Sequence, residues 1–401
     1  MKKQNNDPQE LDKLNGELQE VLSKIPVKSH KEEYQGIEEE PKKRKKRLSN
    51  KKLAGIVTAI VLVICLGTVG AFAGLRMQGK RALLSTDNFD VTAPNIAGED
   101  ISVENNGDLV VYNGEKYCYN HNIVTVLMMG VDQTQDERLQ NQKSDLMIGN
   151  GQADTVILAA LDVETGETTL INISRDSMVD VDVYTKSGNF AGDEKMQLCL
   201  AYAYGVGEDG GCENVARSVS RLLYGVPISS YASIGLSAIN VMNDAIGGVE
   251  VQVLETLGTP GADTYMEEGQ TITLKGAQAE AYVRSRDAYY GGAESNSKRM
   301  ERQKQYLLNF ASKTLRETRK DITLPLTLFD VASEYMITDL NAAKVSYLVS
   351  IVDRVGLEES NFLTMPGEAV LNEKTGYAEF QVDDKALFEM ILDVFYDKVN
   401  K

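Results

Sequence analysis

The feature that most constrains this chain is an uncharged stretch of 23 residues near its N-terminus. Residues 53–75 read LAGIVTAIVLVICLGTVGAFAGL, and a helix of that length can cross the hydrocarbon core of a bilayer. The preceding segment PKKRKKRLSNKK carries eight lysines and arginines, whereas only three basic residues follow within a similar distance. Because positive charge collects on the cytoplasmic side, we predict a single-pass membrane helix, with residues 1–52 in the cytoplasm and residues 76–401 outside the cell.

A cleaved signal peptide is the alternative for this segment, since Ala71, Phe72 and Ala73 resemble a cleavage site. Signal peptides have shorter leaders and shorter apolar cores, so the anchor is favoured. The run KKRKKR also resembles a nuclear localisation patch. Beside a membrane span, however, a basic segment that attracts anionic lipid is the better interpretation. The tail before the span is polar and poor in aromatic residues, which is typical of disorder.

The charge and histidine content beyond the predicted span excludes several kinds of function. Residues 76–401 hold 28 basic and 49 acidic residues, a formal charge of −21, and such a surface repels nucleic acid. The chain has no tryptophan, and its only histidine outside the tail is His121. A histidine-rich metal site is therefore excluded, and a Ser-His-Asp triad would have to use His121. We expect catalysis, if present, to rest on carboxylates, arginines and backbone groups.

Three cysteines lie beyond the predicted span, where disulfides can persist. Cys199 and Cys212 would close a short loop, so we predict a disulfide between them and a free thiol at Cys118. The spacing of these cysteines does not match a zinc site.

Three apolar runs follow one another after residue 122 and carry charges at their ends. IVTVLMMGVD ends at Asp132, DTVILAALDV begins at Asp154, and TTLINISRD ends at Arg175 and Asp176. The turn ETGE between the last two runs predicts a hairpin. If the first two strands are also antiparallel neighbours, all four charged residues meet at one edge of the sheet. The alternative, in which each charge merely ends an apolar strand, is equally well supported by this pattern.

The remaining sequence alternates helical and strand patterns. Strands interleaved with helices predict a layered α/β/α domain with a central mixed sheet over residues 121–401, preceded by a stalk or accessory segment at 76–120. Helices are predicted in NVARSVSRLLYG, IGLSAINVMNDAIGG, KGAQAEAYVR, KRMERQKQYLLNFASKTL, NAAKVSYLVSIVDRVG and DKALFEMILDVFYDKV.

One stretch, YVRSRDAYYGGAESNSKRMERQ, gathers arginines within the acidic chain. Arg284 and Arg286 share a face if the preceding helix ends just before them. Arg299, Arg302 and Gln303 share one face of the following helix. Forked guanidinium donors on two elements suit a phosphate or a diphosphate. The alternative is an exposed basic helix face paired with neighbouring glutamates, which is common on protein surfaces.

Taken together, several motifs resemble the LytR–CpsA–Psr family. They are GVD, ADTVIL, ISRD, KMQLCLAYAYG, GGVEV and YVRSRD followed by RMERQ, and they extend from about residue 123 to 310. The resemblance implies a phosphotransferase at the outer face of the cytoplasmic membrane. Such a protein takes a glycopolymer from a polyprenyl-diphosphate carrier, whose lipid tail sits in an apolar tunnel, and attaches it to a peptidoglycan hydroxyl as a phosphodiester.

The resemblance also implies roles for individual residues. The implied catalytic residues are Asp132, Asp154, Arg175 and Arg299. The implied diphosphate ligands are Arg175, Lys195, Arg284, Arg286, Arg302 and Gln303. Magnesium is implied as the cofactor, held by Asp132 and Asp154. Two positions depart from the family pattern, because Gln152 replaces an arginine and Asn296 replaces an aspartate.

General chemistry agrees with these implied roles, because phosphoryl transfer depends on positioning and charge neutralisation, which arginines and an oxygen-ligated magnesium ion supply. Other functions remain open. A non-enzymatic scaffold or regulator that binds polyprenyl phosphate or wall glycan would keep the arginines but need no carboxylate pair. A lipid diphosphatase would share every residue and differ only in its acceptor.

Overall fold

A six-stranded mixed sheet lies at the centre of the fold. The computed structural model describes residues 73–85, 90–132, 149, 151–207, 209–235, 237–285, 293–352, 354–356 and 361–399. In spatial order the strands are β12 (Met336–Thr338), β9 (Ser230–Gly235), β4 (Ile123–Asp132), β5 (Gln152–Asp162), β6 (Thr168–Ile173) and β13 (Phe362–Thr364). Strands β4, β5 and β6 are antiparallel neighbours, whereas β9 runs parallel to β4 and β13 parallel to β6. The predicted mixed sheet and the hairpin between β5 and β6 are therefore confirmed.

The helices surround this sheet. They are α1 (Gly210–Leu222), α2 (Ala238–Ala245), α3 (Ala277–Arg284), α4 (Ala293–Thr318), α5 (Leu324–Ala332), α6 (Ala342–Ser350) and α7 (Asp384–Phe395), and residues 73–83 are also helical. The smaller strand pairs are β7 (Met178–Tyr184) with β8 (Phe190–Gln197), β10 (Val249–Gln252) with β11 (Thr271–Leu274), and β14 (Gly367–Leu371) with β15 (Ala378–Val382).

The central strands are apolar on both faces because helices cover both. Leu158 of β5 belongs to a buried cluster that includes Val219 of α1 and Phe388 of α7. The preceding residue, Ile157, packs on the opposite face of the sheet with Leu308 of α4. Successive side chains of β5 therefore point alternately into two cores, one on each face of the sheet. The predicted α/β/α layering is confirmed.

The N-terminal part of the described region belongs to the same packing unit. Strands β1 (Ile101–Glu104), β2 (Leu109–Tyr112), β3 (Glu115–Tyr119) and β16 (Tyr396–Lys398) form a four-stranded sheet in this order. Pairing of β3 with β16 joins this segment to the C-terminal end. The predicted boundary at residue 120 is therefore wrong, because these strands pair with an element from the far end of the chain.

The predicted membrane span at 53–75 lies outside the described residues except for its last three. Within the part of the chain that the structure describes, no helix is both long and apolar enough to cross a membrane. The helical residues 73–83 are held against α6 at Gly79, where a Cβ atom would lie 2.0 Å from the carbonyl oxygen of Ala343. Leu83, at the end of this helix, is fully buried beside Tyr347 of α6.

Candidate active site

An ion pair marks the edge of the sheet at which β4 ends and β5 begins. Val156 lies opposite Ile173 in the β5–β6 register, and continuing that register by two residues places Asp154 opposite Arg175. Arg175 Nη1 contacts the Asp154 carboxylate in an ion pair, and its Nε lies 3.6 Å from Asp176 Oδ1. The side chains of Arg175 and Asp154 remain 25% and 30% exposed, so a ligand can reach them. The predicted convergence of these three charges is confirmed.

Amide side chains orient the ion pair. Arg175 Nη2 donates to Gln152 Oε1 at 3.1 Å, and Gln152 is nearly buried. Gln197, at the end of β8, donates from Nε2 to Asp176 Oδ1 at 3.1 Å and to the carbonyl of Ala378 at 2.7 Å. Gln152 replaces a cation of the family pattern, and its uncharged amide accepts a hydrogen bond from Arg175 where a second guanidinium would repel it.

Asp132 is the last residue of β4 and pairs with Gln152 in the β4–β5 register. The register shifts between Gly130 and Val131, and such an irregularity re-aims the end of a strand. The backbone of Asp132 therefore lies at the same sheet edge as Asp154. Its side chain lies outside what the structure describes, so its predicted catalytic and metal-binding roles stay predictions.

Arg302 of α4 holds the end of α3 instead of facing a ligand. Its side chain is buried, and its Nε lies 2.9 Å from Oε1 of the equally buried Glu255. Its two remaining nitrogens donate to the backbone carbonyls of Tyr282 and Ser285. Burial lowers the pKa of Arg302, and Glu255 opposes that shift. The predicted contact between Arg302 and a diphosphate does not fit this placement, because every nitrogen already faces a protein acceptor.

Gln303 also ties α4 to the end of α3, because its Nε2 donates to the carbonyl of Val283 at 3.0 Å. Arg284 is the last residue of α3 and half exposed, and its Nη1 lies 3.1 Å from Glu280 Oε1. The helix thus extends one residue further than predicted, so Arg284 is helical and not extended. Arg286 lies outside the described residues, and Arg299 lies one turn before Gln303 on α4.

Lys195 lies on β8, two residues before Gln197. Residues two apart share a face of a strand, so Lys195 is on the side of the hairpin whose Gln197 contacts Asp176. Lys195 is exposed and pairs with Asp180 of β7 across the strands. Lys195 therefore lies two residues further along the hairpin from the ion pair than Gln197 does.

An apolar cavity of about 190 Å³ lies between the sheet and helices α2 and α4. Its lining includes Met128, Ile157, Ile234, Met242, Leu307 and Phe310, with Gln303 as a polar member. A second pocket of about 210 Å³ shares Thr155, Ile157 and Gln303 with it and adds Asn172, Lys304 and Thr364. The apolar space and the more polar space therefore form neighbouring parts of one cleft, with Gln303 between them.

The ion pair and the cavity lie close together at the start of β5. Thr155 and Ile157 line the cavity, and Asp154 directly precedes Thr155. The register shifts at this point, since Ala153 pairs with Val131 and Thr155 with Gly130, and Ala153 and Val156 both belong to the core beneath α1 and α7. Regular alternation is therefore interrupted at Asp154, and the ion pair lies one residue away from the cavity lining.

The predicted disulfide between Cys199 and Cys212 is wrong. Both are buried, and all three cysteines in the described part of the chain are thiols. The Cys212 side chain, in the first turn of α1, faces the hydroxyl groups of Ser233 and Tyr202, and burial raises its pKa to about 11. Cys199 lies in a short 3₁₀ turn and donates its backbone N–H to the carbonyl of Arg175 at 2.9 Å. The thiols thus belong to separate contacts.

Comparison with known proteins decides which family has this arrangement. The LytR_cpsA_psr family model matches residues 93–393, about three quarters of the chain. The chain belongs to the LytR–CpsA–Psr family. The match begins well before residue 121, which agrees with the pairing of β3 with β16.

Two curated members and one solved structure illustrate the likeness. Polyisoprenyl-teichoic acid--peptidoglycan teichoic acid transferase TagU of Enterococcus faecalis is 26% identical over 291 residues, which are 73% of this chain and 80% of TagU. The probable cell wall biosynthesis protein LcpB of Corynebacterium glutamicum is 32% identical over 168 residues, 41% of this chain and 36% of LcpB. The crystal structure of protein gbs0355 from Streptococcus agalactiae superposes with a TM-score of 0.52 at 21% identity, covering 70% of this chain and 91% of gbs0355.

Glu255, the buried ion-pair partner of Arg302 in this LytR–CpsA–Psr member, is a residue that the sequence patterns did not single out. A signal for it exists in VEVQVLE, because Val249, Val251 and Val253 are buried in alternation and Glu255 continues the same phase. A carboxylate on the inward phase of a strand pattern needs a buried cation. The arginines of the RMERQ motif were the available candidates.

Proposed function

We propose that this protein is a membrane-anchored phosphotransferase of cell-wall assembly. It moves a glycopolymer from a polyprenyl-diphosphate carrier to a hydroxyl group of peptidoglycan. The observation that carries the proposal is the ion pair of Arg175 and Asp154 at the sheet edge, accessible to solvent, with an apolar cavity that begins at Thr155, the next residue of the same strand. An amphiphile with a charged phosphate group and a hydrocarbon tail matches both features. The name of the TagU relative supports the same reaction class.

The proposed reaction exchanges one phosphate ester bond for another. The acceptor hydroxyl oxygen attacks the phosphorus that carries the glycopolymer, and the bond from this phosphorus to the bridging oxygen breaks. The products are the glycopolymer–peptidoglycan phosphodiester and the polyprenyl monophosphate, which keeps the bridging oxygen and its electron pair. A carboxylate accepts the hydroxyl proton. Asp154 lies at the sheet edge that carries the candidate site and is therefore suited to this role, and Asp132 is the alternative.

Arginine side chains supply the positive charge that this reaction needs. Arg175 is oriented by its contacts with Asp154, Gln152 and Asp176 at the solvent-accessible sheet edge, so its positive charge is held in a fixed place. Arg284, at the exposed end of α3, is positioned by the contacts of Arg302 and Gln303 with the neighbouring backbone. Such fixed donors stabilise developing charge without reorganisation. We assign Arg302 and Gln303 to positioning and Arg284 to the diphosphate.

A magnesium ion fits the donor set at this edge. Among the described residues, no cluster of three or more histidine, cysteine or acidic side chains forms a cage for a metal. Magnesium in phosphoryl-transfer sites commonly uses one or two carboxylates together with substrate phosphates and water. Asp154 would hold the ion together with Asp132, whose register partner Gln152 lies two residues before Asp154, and the ion would neutralise phosphate charge.

The location of the reaction follows from the predicted span at 53–75 and its basic flank. We propose that residues 1–52 are cytoplasmic and that the domain works at the outer face of the membrane. The lipid carrier would then approach from the bilayer in which the protein is anchored, and peptidoglycan would approach from outside.

The decisive test is transfer by the full-length protein reconstituted in vesicles. With a polyprenyl-diphosphate glycan and a peptidoglycan acceptor, Asp154→Asn and Arg175→Ala should each lower kcat by at least roughly 100-fold, as for loss of one group that stabilises a transition state. Asp263→Asn, at an exposed position remote from this edge, is the matched control. Undiminished transfer in both variants would refute the proposal.

The same assay separates the alternatives. A lipid diphosphatase would release its products in the absence of peptidoglycan. A scaffold or regulator would bind the lipid carrier and show no turnover with either acceptor. The proposed transferase should need both the carrier and peptidoglycan, and magnesium should stimulate it.

A further inference from the structure

The end of α4, the segment that follows it and the start of α5 carry basic and apolar side chains together on an acidic domain. Arg316, Arg319, Lys320, Ile322 and Leu326 are all exposed, and we refer to them as the 316–326 surface. Ile322 and Leu326 are 60% and 54% exposed, which is high for such large apolar side chains. Burying them would be favourable, so this surface is suited to a partner.

The acidic groups near this surface define its limits. Glu317 pairs with Lys320 at 2.9 Å and with Arg316 at 3.4 Å, and Asp321 accepts hydrogen bonds from Thr323. The exposed face of α5 then changes character along its length. It is apolar at Leu326 and acidic at Asp330, and the exposed Glu334 follows just after the helix. Only the first turn of α5 is therefore suited to an apolar, anionic partner.

The 316–326 surface is linked to the place where the predicted anchor leaves the membrane. Arg319 Nη2 donates to the carbonyl of Val355, just beyond α6, at 2.7 Å. Gly79 packs on Ala343 at the start of the same helix, only four residues after the predicted span ends. Seven helical residues at 1.5 Å each and five non-helical residues at up to about 3.5 Å each place these two contacts at most about 30 Å apart. The membrane surface at the end of the predicted span is thus close to the 316–326 surface.

We propose that the 316–326 surface docks onto the anionic outer leaflet of the membrane beside the anchor. Ile322 and Leu326 insert at the level of the headgroups, and Arg319 and Lys320 contact lipid phosphates. This combination of shallow apolar insertion and basic charge is the one that binds peripheral elements to anionic bilayers. It requires the predicted span but not the proposed transfer reaction. It would fix the orientation of the domain on the membrane by a second contact besides the anchor.

The chain contains no tryptophan, so one introduced tryptophan reports on a single place. Ile322→Trp and Leu326→Trp, each in the full-length protein, would be reconstituted in vesicles of phosphatidylglycerol and phosphatidylcholine with brominated acyl chains. Leu371→Trp, at the 68% exposed end of β14, is the matched control. The probes at 322 and 326 should be quenched several-fold more strongly than the control. Arg319→Glu with Lys320→Glu should reduce this quenching, and so should vesicles without phosphatidylglycerol.

Two outcomes would overturn the proposal. Equal quenching at positions 322, 326 and 371 would show no preferred face toward the lipid. Absence of quenching, with a probe emission that shifts to the blue at high protein density in unbrominated vesicles, would assign the surface to a second copy of this chain. Neither outcome depends on catalytic activity, because the probes lie beyond the C-terminal end of α4, whereas Arg299 lies near its N-terminal end.

Discussion

Arg302 and Glu255 form the buried ion pair on which the junction of α3 and α4 depends. We expect Arg302→Met to lower the free energy of unfolding by about 3–5 kcal/mol, because the Glu255 carboxylate then stays buried without a cation. Combining it with Glu255→Leu should recover much of the loss, because an apolar pair avoids the desolvation cost. Urea unfolding of the single and double variants measures both changes.

Arg284→Ala is the matched control for this pair. Arg284 is 51% exposed and pairs with Glu280 on the same helix, so its removal should cost less than about 1 kcal/mol. Equal losses for Arg302→Met and Arg284→Ala would contradict the structural role assigned to Arg302.

The buried thiol of Cys212 makes a second prediction at this scale. Since its pKa in the folded protein is raised from 9.0 to about 11, the folded state favours the protonated thiol. Its contribution to stability is complete below pH 9 and is lost as the pH rises toward 11. At pH 8, iodoacetamide should modify the exposed Cys118 and spare Cys212 until denaturant is added. Peptide mass mapping of the modified cysteines checks this, and rapid alkylation of Cys212 in the native protein would contradict it.

Sequence reasoning found the ion pair of the site but not the residues that orient it. Asp154 and Arg175 could be predicted because strand ends and hairpin geometry bring them together. Gln152 and Gln197 could not, since a glutamine carries no charge signal and acts through contacts across elements. Arg302 was assigned to the ligand because an arginine in a motif looks the same whether it faces solvent or a buried carboxylate.

Among the elements, the helix of residues 73–83 depends on one small residue. A Cβ atom at Gly79 would lie 2.0 Å from the Ala343 carbonyl oxygen, so Gly79→Ala should push this helix away from α6. We expect a loss of about 1–3 kcal/mol, the range for overpacking, measured as a lower Tm in detergent micelles. Gly74→Ala is the matched control, because no atom lies within 4 Å of its added Cβ. A Tm for Gly79→Ala at or above that of the control would contradict this contact.

Elements with clear periodicity were predicted well, and those without it were missed. The long helix α4 and the C-terminal helix α7 follow from apolar residues at helical spacing. The hairpin of β7 and β8 was not predicted, because FAGDEKMQ of β8 is almost entirely exposed and has no apolar alternation. Helix α5 was missed because its sequence LPLTLFDVA is apolar on all sides and contains a proline, which conceals the period.

On the scale of the whole molecule, the orientation in the membrane remains the central prediction. Protease added outside intact protoplasts should digest the domain and leave a tag at the N-terminus intact, because the basic segment before residue 53 keeps that end inside. Immunoblotting for the tag and for a C-terminal epitope shows which of the two ends the protease digests. Loss of the N-terminal tag to external protease would reverse the assigned topology.

Long-range pairing explains why the boundary at residue 120 was predicted wrongly. Strand β3 pairs with β16, and Tyr119 lies opposite Tyr396 across nearly the whole domain sequence. Local patterns show that β3 is a strand but not which strand it meets. Residues 76–120 were therefore predicted to be a stalk or accessory segment, because the partner of their last strand lies at the other end of the chain.

The short distance along β5 between the ion pair and the cavity has a consequence for inhibition. A hydrocarbon compound that fills the space beside Ile157 would leave Arg175 open, and a small phosphate mimic at Arg175 would leave the cavity open. Two such compounds should bind at the same time and multiply each other's effect, whereas each should compete with the natural carrier. One compound that joins both parts would need only a short linker, because Asp154 of the ion pair and Thr155 of the cavity lining are adjacent residues.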